Sequence, residues 1–127
     1  MRQVITSSTD QTIVFYAYDS DGVAVDLDSG SAGLTLAYRI DQNGREGTPV
    51  SLTPVARLTA NVHRDGAITG RGNGKHEVDL PDAAFATNDS MVTLEVSTTD
   101  ADTFFAERLI VSRKLATKQD VQNAGVM

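Results

Sequence analysis

The chain has 127 residues and a mass of 13.6 kDa, which is the size of one domain with a single hydrophobic core. It contains no cysteine, so disulfides, thiolate catalysis and zinc–thiolate sites are excluded. Residues 1–112 carry 8 Lys/Arg and 16 Asp/Glu, whereas residues 113–127 have a net charge of +2. We expect neither nucleic acid nor an anionic membrane as a partner of the acidic body, since both attract basic surfaces. The first residues lack the apolar segment of a secretory signal, and we expect no signal peptide.

Alternation of apolar and polar residues dominates the chain, and it predicts short strands separated by turns. Asp19–Gly22 and Asn43-Gly44 are turn signals, and each predicts a hairpin between the strands on either side. Thr98–Asp102 is expected to close a further hairpin. The predicted strands are Thr12–Tyr18, Val23–Leu27, Leu34–Ile40, Thr48–Leu52, His76–Leu80, Met91–Ser97 and Phe104–Val111.

Three segments between these strands have other patterns. Residues 53–65 fit either a helix, from the spacing of Val55, Leu58 and Val62, or an irregular crossing segment. The four glycines of Gly66–Gly74 predict a loop or a bulged edge strand. Residues 81–86 predict a single helical turn, because proline suits a first helical position and alanine favours helix.

The pattern changes after Arg113, where residues 116–124 are polar and tolerate a helix. We therefore predict two regions. Residues 1–112 form an all-β domain, an antiparallel β-sandwich of the Ig-like or Greek-key type with one short helical turn near residues 81–86. Residues 113–127 form a short C-terminal helix or tail for assembly.

The sequence offers little for catalysis, and we predict no enzyme, no catalytic residue and no cofactor. His76 alternates with Val78 and Leu80 and is expected at the edge of the core. His63 precedes Arg64-Asp65-Gly66 and is expected in a solvated loop. Neither histidine lies near a recognisable nucleophile motif such as G-x-S-x-G.

Two binding hypotheses remain at the residue level. Asp19 and Asp21 could bind calcium, since carboxylates at alternate positions form calcium loops, although an acidic hairpin turn is the favoured explanation. Tyr16 and Tyr18 share one strand face, opposite Phe15, and could contact a glycan if that face meets solvent. Tyr38 shares its face with Leu36 and Ile40 and is expected in the core.

The most distinctive stretch is Gly72–Ala86, which combines a Gly-Asn-Gly turn, a strand ending in Asp-Leu-Pro, and then Asp-Ala-Ala followed by an apolar residue. It resembles a pattern in small β-sandwich domains of tailed-bacteriophage and prophage virion appendages, including fibres and upper baseplate proteins. The hairpin from Tyr16 and the strand Met91–Ser97 are similar in style to the same domains. Lys75 and His76 depart from the pattern, which has bulky aromatic residues there.

The resemblance implies a non-enzymatic structural protein of a phage virion: a tail, baseplate, fibre or head appendage. It would be made in the bacterial cytoplasm and would contact other virion proteins and further copies of itself, with a trimer favoured. Tail contacts are expected at Leu115, Val121 and Val126. The alternatives are a β-sandwich module that binds host-surface glycan and a capsid decoration protein.

Overall fold

The computed structural model describes residues 2–113, which fold into two packed β-sheets. One 3-10 turn, Asp82–Phe85, lies between the sixth and seventh strands. In these residues no helix has the length and apolar character needed to cross a membrane. The strands are β1 (Arg2–Ile5), β2 (Thr12–Tyr18), β3 (Thr35–Gln42), β4 (Val50–Leu52), β5 (Ile68–Gly72), β6 (Lys75–Asp79), β7 (Ser90–Ser97), β8 (Thr103–Ala106) and β9 (Leu109–Ser112).

The order of the strands confirms the predicted sandwich. Sheet 1 has the order β1-β9-β7-β3-β4, and sheet 2 has the order β5-β6-β2-β8. All neighbouring strands are antiparallel except β1 and β9, which run parallel. In an immunoglobulin domain strands B, E and D form one sheet and C, F and G the other. Here β2, β6 and β5 take the first set of places, and β3, β7 and β9 take the second.

The core lies between the sheets and follows from the alternation of each strand. Strand β2 turns Ile13, Phe15 and Ala17 inward, and all three are fully buried. The 3-10 turn closes one end of the sandwich with Ala84 and Phe85, also fully buried. The predicted helical turn at residues 81–86 is thus confirmed, as is the inward position of Tyr38.

One predicted hairpin is shorter than expected, and another is wrong. The chain turns back at Asp19–Gly22, where Ala24 bridges antiparallel to Tyr18 and the Val25 N–H donates to the Ala17 oxygen. Val23–Leu27 nevertheless forms no strand, because β6 occupies the rest of that edge of β2. Thr98–Asp102 joins β7 in sheet 1 to β8 in sheet 2. The hairpin around Asn43-Gly44 is confirmed, since β3 pairs with β4.

Two longer predictions also change. Phe104–Val111 is two strands, not one, because the chain crosses from sheet 2 to sheet 1 between β8 and β9. The Glu107 carboxylate holds this crossing in place, since it accepts hydrogen bonds from Val14 of sheet 2 and from the Arg2 guanidinium of sheet 1. Residues 53–65 are irregular and form no helix. Gly66–Gly74 contains the bulged edge strand β5, as expected.

Candidate functional site

The outer face of sheet 2 carries an exposed aromatic strip, which we define as Tyr16, Tyr18 and Phe105. Tyr16 and Tyr18 point outward because the residues between and before them, Ala17 and Phe15, point into the core. The register pairs Tyr16 with Phe105 across β2 and β8. Phe105 is 61% exposed and Tyr16 38% exposed. Tyr18 meets Phe105 edge-on, with ring centroids 5.9 Å apart.

Charged side chains surround the aromatic strip. Lys75 is the β6 neighbour of Tyr16, and Glu107 follows the end of β8. Tyr16, Lys75, Phe105 and Glu107 line an open groove of about 460 Å³ together with Val14 and Ala106. Glu107 is already bound to Arg2, with 3.1 Å between Oε1 and Nη2. The strip is therefore an apolar surface with a polar rim, the usual anatomy of an interaction surface.

The structure brings together the two tyrosines predicted for glycan contact and adds a residue that the sequence reasoning missed. Phe105 is the most exposed ring of the strip. Its neighbour Phe104 points the other way and packs on the core, with its ring 6.4 Å from that of Phe15. The alternation of inward and outward positions along β8 could have placed Phe105 on an outer face. The prediction of one strand over Phe104–Val111, however, did not pair Phe105 with β2.

The two aspartates considered for calcium form a turn instead of a cluster of ligands. Asp19 Oδ1 accepts the N–H groups of Asp21 and Val23, each at 2.9 Å. This is the hydrogen bonding of an Asx turn. Residues 2–113 contain no group of three His, Cys, Asp or Glu side chains placed to hold a metal ion.

A buried ion pair attaches the irregular segment 53–65 to sheet 2. Asp79 is fully buried, and Arg57 donates two hydrogen bonds to it, of 2.6 and 2.9 Å. The Arg64 N–H donates a third, of 3.0 Å. Burial by itself raises the pKa of Asp79, but the bonds from Arg57 and Arg64 outweigh it and hold the pKa below its ordinary value of 3.8. This arrangement explains the fold of the segment and leaves the carboxylate inaccessible.

His76 belongs to the core, as its alternation predicted. Its ring stacks on Phe15 with centroids 4.6 Å apart, and its Nε2 accepts the N–H of Leu27 at 2.7 Å. Burial lowers the pKa of His76 below 6.5. A neutral ring that accepts a backbone N–H holds the segment before β3 against the core, which is a structural role.

A second groove, of about 620 Å³, lies on the outer face of sheet 1. Arg39 lies on its wall and is bound by Asp41, Glu46 and Glu95, so its charge is already compensated. Ser112, the last residue of β9, also lines this groove. The contacts predicted for Leu115, Val121 and Val126 lie outside the described residues.

Comparison with known proteins adds no relative. No family model, no curated protein and no solved structure matches the chain.

Proposed function

We propose that this chain is a non-enzymatic structural module of a phage virion, which assembles through contacts between copies made by the aromatic strip. The exposure of Phe105 carries the proposal. Burial of an exposed phenylalanine ring contributes about 1–2 kcal/mol, and aromatic side chains are frequent anchors of protein interfaces. The virion assignment is supported by the resemblance of Gly72–Ala86 to virion appendage domains.

The position of the strip favours a protein partner. Phe105 lies on β8, which is an edge strand of sheet 2. A protein that covers this edge can bury the Phe105 ring and also form hydrogen bonds with the open backbone groups of β8. A saccharide makes such contacts less completely. Phenylalanine also lacks the hydroxyl group with which a tyrosine would bind a sugar.

Sedimentation velocity of the full chain tests the proposal against a matched control. Phe105→Ser removes the ring, and we expect it to raise the dissociation constant of self-association by about tenfold or more, since 1.4 kcal/mol corresponds to tenfold. Val50→Ser is the control, because Val50 is an exposed apolar residue on the edge strand β4 of sheet 1. The control should associate as the unchanged chain does, and equal effects of the two substitutions would contradict the proposal.

The virion assignment has its own test. Particles purified from the source host by density gradient should contain the chain, detected with an antibody. Detection in the soluble fraction alone would contradict a virion role without bearing on self-association.

Glycan binding is a second candidate, and the groove beside the strip favours it. Tyr16 offers a ring for a sugar face, while Lys75 and Glu107 lie next to it with hydrogen-bonding groups. Titration with a broad saccharide panel should then change the tyrosine fluorescence of the chain but not that of Tyr16→Ala. A monomeric chain with such a response would replace the assembly proposal with this one.

A further inference from the structure

The four edge strands of the sandwich differ in their protection against pairing with another chain. Strand β4 is only three residues long and has Pro49 before it and Pro54 shortly after it. Strand β5 is bulged and carries Arg71, and strand β1 carries Arg2. These are devices by which proteins prevent edge-to-edge association. Strand β8 reads Thr-Phe-Phe-Ala and contains no charge, proline or glycine.

The register of β8 determines which of its backbone groups are open. The Glu107 N–H donates to the Val14 oxygen, and Tyr16 pairs with Phe105 two residues further on. Hydrogen-bonded pairs alternate in an antiparallel ladder, so Phe105 directs its N–H and C=O toward β2. Phe104 and Ala106 therefore direct theirs away from β2, along the open edge.

We propose that β8 pairs antiparallel with β8 of a second copy of this chain, about a two-fold axis at Phe105. This inference rests on the proposed function and identifies the partner and the geometry of the assembly. Phe104 of each copy then exchanges two hydrogen bonds with Ala106 of the other. The two Phe105 rings meet on the outer face, next to both Tyr16 rings, and the two copies of sheet 2 form one continuous sheet. A two-fold contact is self-complementary and closed, and it yields a dimer where the resemblance implies a trimer.

The pairing is confined to β8 itself. Asp102 and Arg108 lie outside it, since the Asp102 N–H donates to the Tyr18 oxygen of β2 and the Arg108 oxygen accepts the Arg2 N–H of β1. The contact between copies therefore depends on the outward backbone groups of Phe104 and Ala106 and on the Phe105 ring.

Cysteine cross-linking tests the geometry directly, because the chain has no cysteine of its own. In the proposed register the two Phe105 Cα atoms are about 4.5 Å apart, as in a non-hydrogen-bonded pair, and a disulfide spans about 4.4–6.8 Å. Phe105→Cys should form an interchain disulfide on mild oxidation. Tyr16→Cys, one strand further in, and Val50→Cys, on the opposite sheet, are the controls and should remain largely monomeric on a non-reducing gel.

One further variant keeps the aromatic strip intact. Ala106→Pro removes an N–H that points away from β2, so it should leave the thermal unfolding of the monomer nearly unchanged and weaken dimerisation by tenfold or more. Sedimentation velocity measures the change in dimerisation, and the cysteine cross-linking does not depend on tolerance of proline.

The outcomes separate this inference from the proposed function. If Phe105→Ser weakens association but Ala106→Pro does not, the edge pairing is wrong and assembly through the aromatic strip stands. If Tyr16→Cys forms the interchain disulfide more readily than Phe105→Cys, the proposed register is wrong, but assembly through the aromatic strip stands. If the chain is monomeric at every concentration, both the edge pairing and assembly through the aromatic strip are wrong. This holds whether residues 114–127 of the chain or a saccharide cover the β8 edge instead.

Discussion

At the scale of single residues, the buried carboxylate of Asp79 contributes most clearly to stability. Arg57→Met leaves this carboxylate buried without its main partner, and we expect a loss of about 3 kcal/mol at neutral pH. Arg71→Met is the matched control, since Arg71 binds Glu77 in the same two-bond manner but with an exposed side chain. Its loss should be much smaller, because water screens an exposed ion pair. Urea unfolding of both variants measures the difference, and equal losses would contradict a special role for the buried pair.

The same ion pair has a predictable pH dependence. The pKa of Asp79 is lower in the folded state than its ordinary value of 3.8, so below that value the unfolded chain binds a proton that the folded chain does not. The stabilisation is therefore complete above pH 3.8 and is lost as the pH falls toward the folded-state pKa. The difference in unfolding free energy between the unchanged chain and Arg57→Met should narrow over this acid range.

His76 acts in a higher pH range. Its folded pKa is lowered from 6.5 by burial, so its neutral form contributes stability above pH 6.5 that is lost as the pH falls below it. The slope has an upper limit of about 1.4 kcal/mol per pH unit. Comparison of the unchanged chain with His76→Gln between pH 7.5 and 5 isolates this contribution. An unfolding free energy whose pH dependence is identical in the two proteins would contradict it.

At the scale of elements, two hairpins with the same turn chemistry differ in their surroundings. Asn43-Gly44 and Asn73-Gly74 both have positive φ at both residues, as a type I′ turn requires. A Cβ at Gly44 would meet nothing within 4 Å, whereas one at Gly74 would lie 2.7 Å from the Ala17 oxygen. Gly44→Ala should cost about 1–2 kcal/mol for its backbone conformation, and Gly74→Ala should cost clearly more because it also pushes the β5–β6 hairpin away from β2.

Thermal unfolding of the two alanine variants measures this difference. Equal melting temperatures would mean that the close approach of Gly74 to β2 is relieved at no cost, contrary to the packing described above.

The sequence predicted the elements better than their connections. Local alternation was sufficient for β2, β3, β6 and β7, since their inward positions are set by neighbours along the chain. Strand β1 gave no signal, because it has four residues and pairs in parallel with β9, more than 100 residues later. The crossing at Glu107 depends on contacts with both sheets, which no local pattern contains.

The candidate site was predictable only in part for the same reason. Tyr16 and Tyr18 followed from the alternation of β2, but Phe105 joined them only once β8 was paired with β2. Asp79 stands between Val78 and Leu80 in the chain, and the alternation of β6 gave no sign that its carboxylate is buried as well. It is buried because residues 53–65 cover that part of sheet 2, and alternation within one strand carries no information about such a cover.

At the scale of the whole molecule, the sandwich combines an acidic body with one unprotected apolar edge. The body has twice as many Asp/Glu as Lys/Arg over residues 1–112, which opposes non-specific association. The self-association that we propose therefore depends on a defined patch, the aromatic strip with β8.

The most direct test of this account is the mass of the full chain in solution, measured by light scattering over a range of concentrations. The account predicts a rise from the 13.6 kDa of one chain toward twice that mass with increasing concentration, and a much smaller rise for Phe105→Ser. A mass of one chain at every concentration, or the same rise in both proteins, would contradict assembly through the aromatic strip.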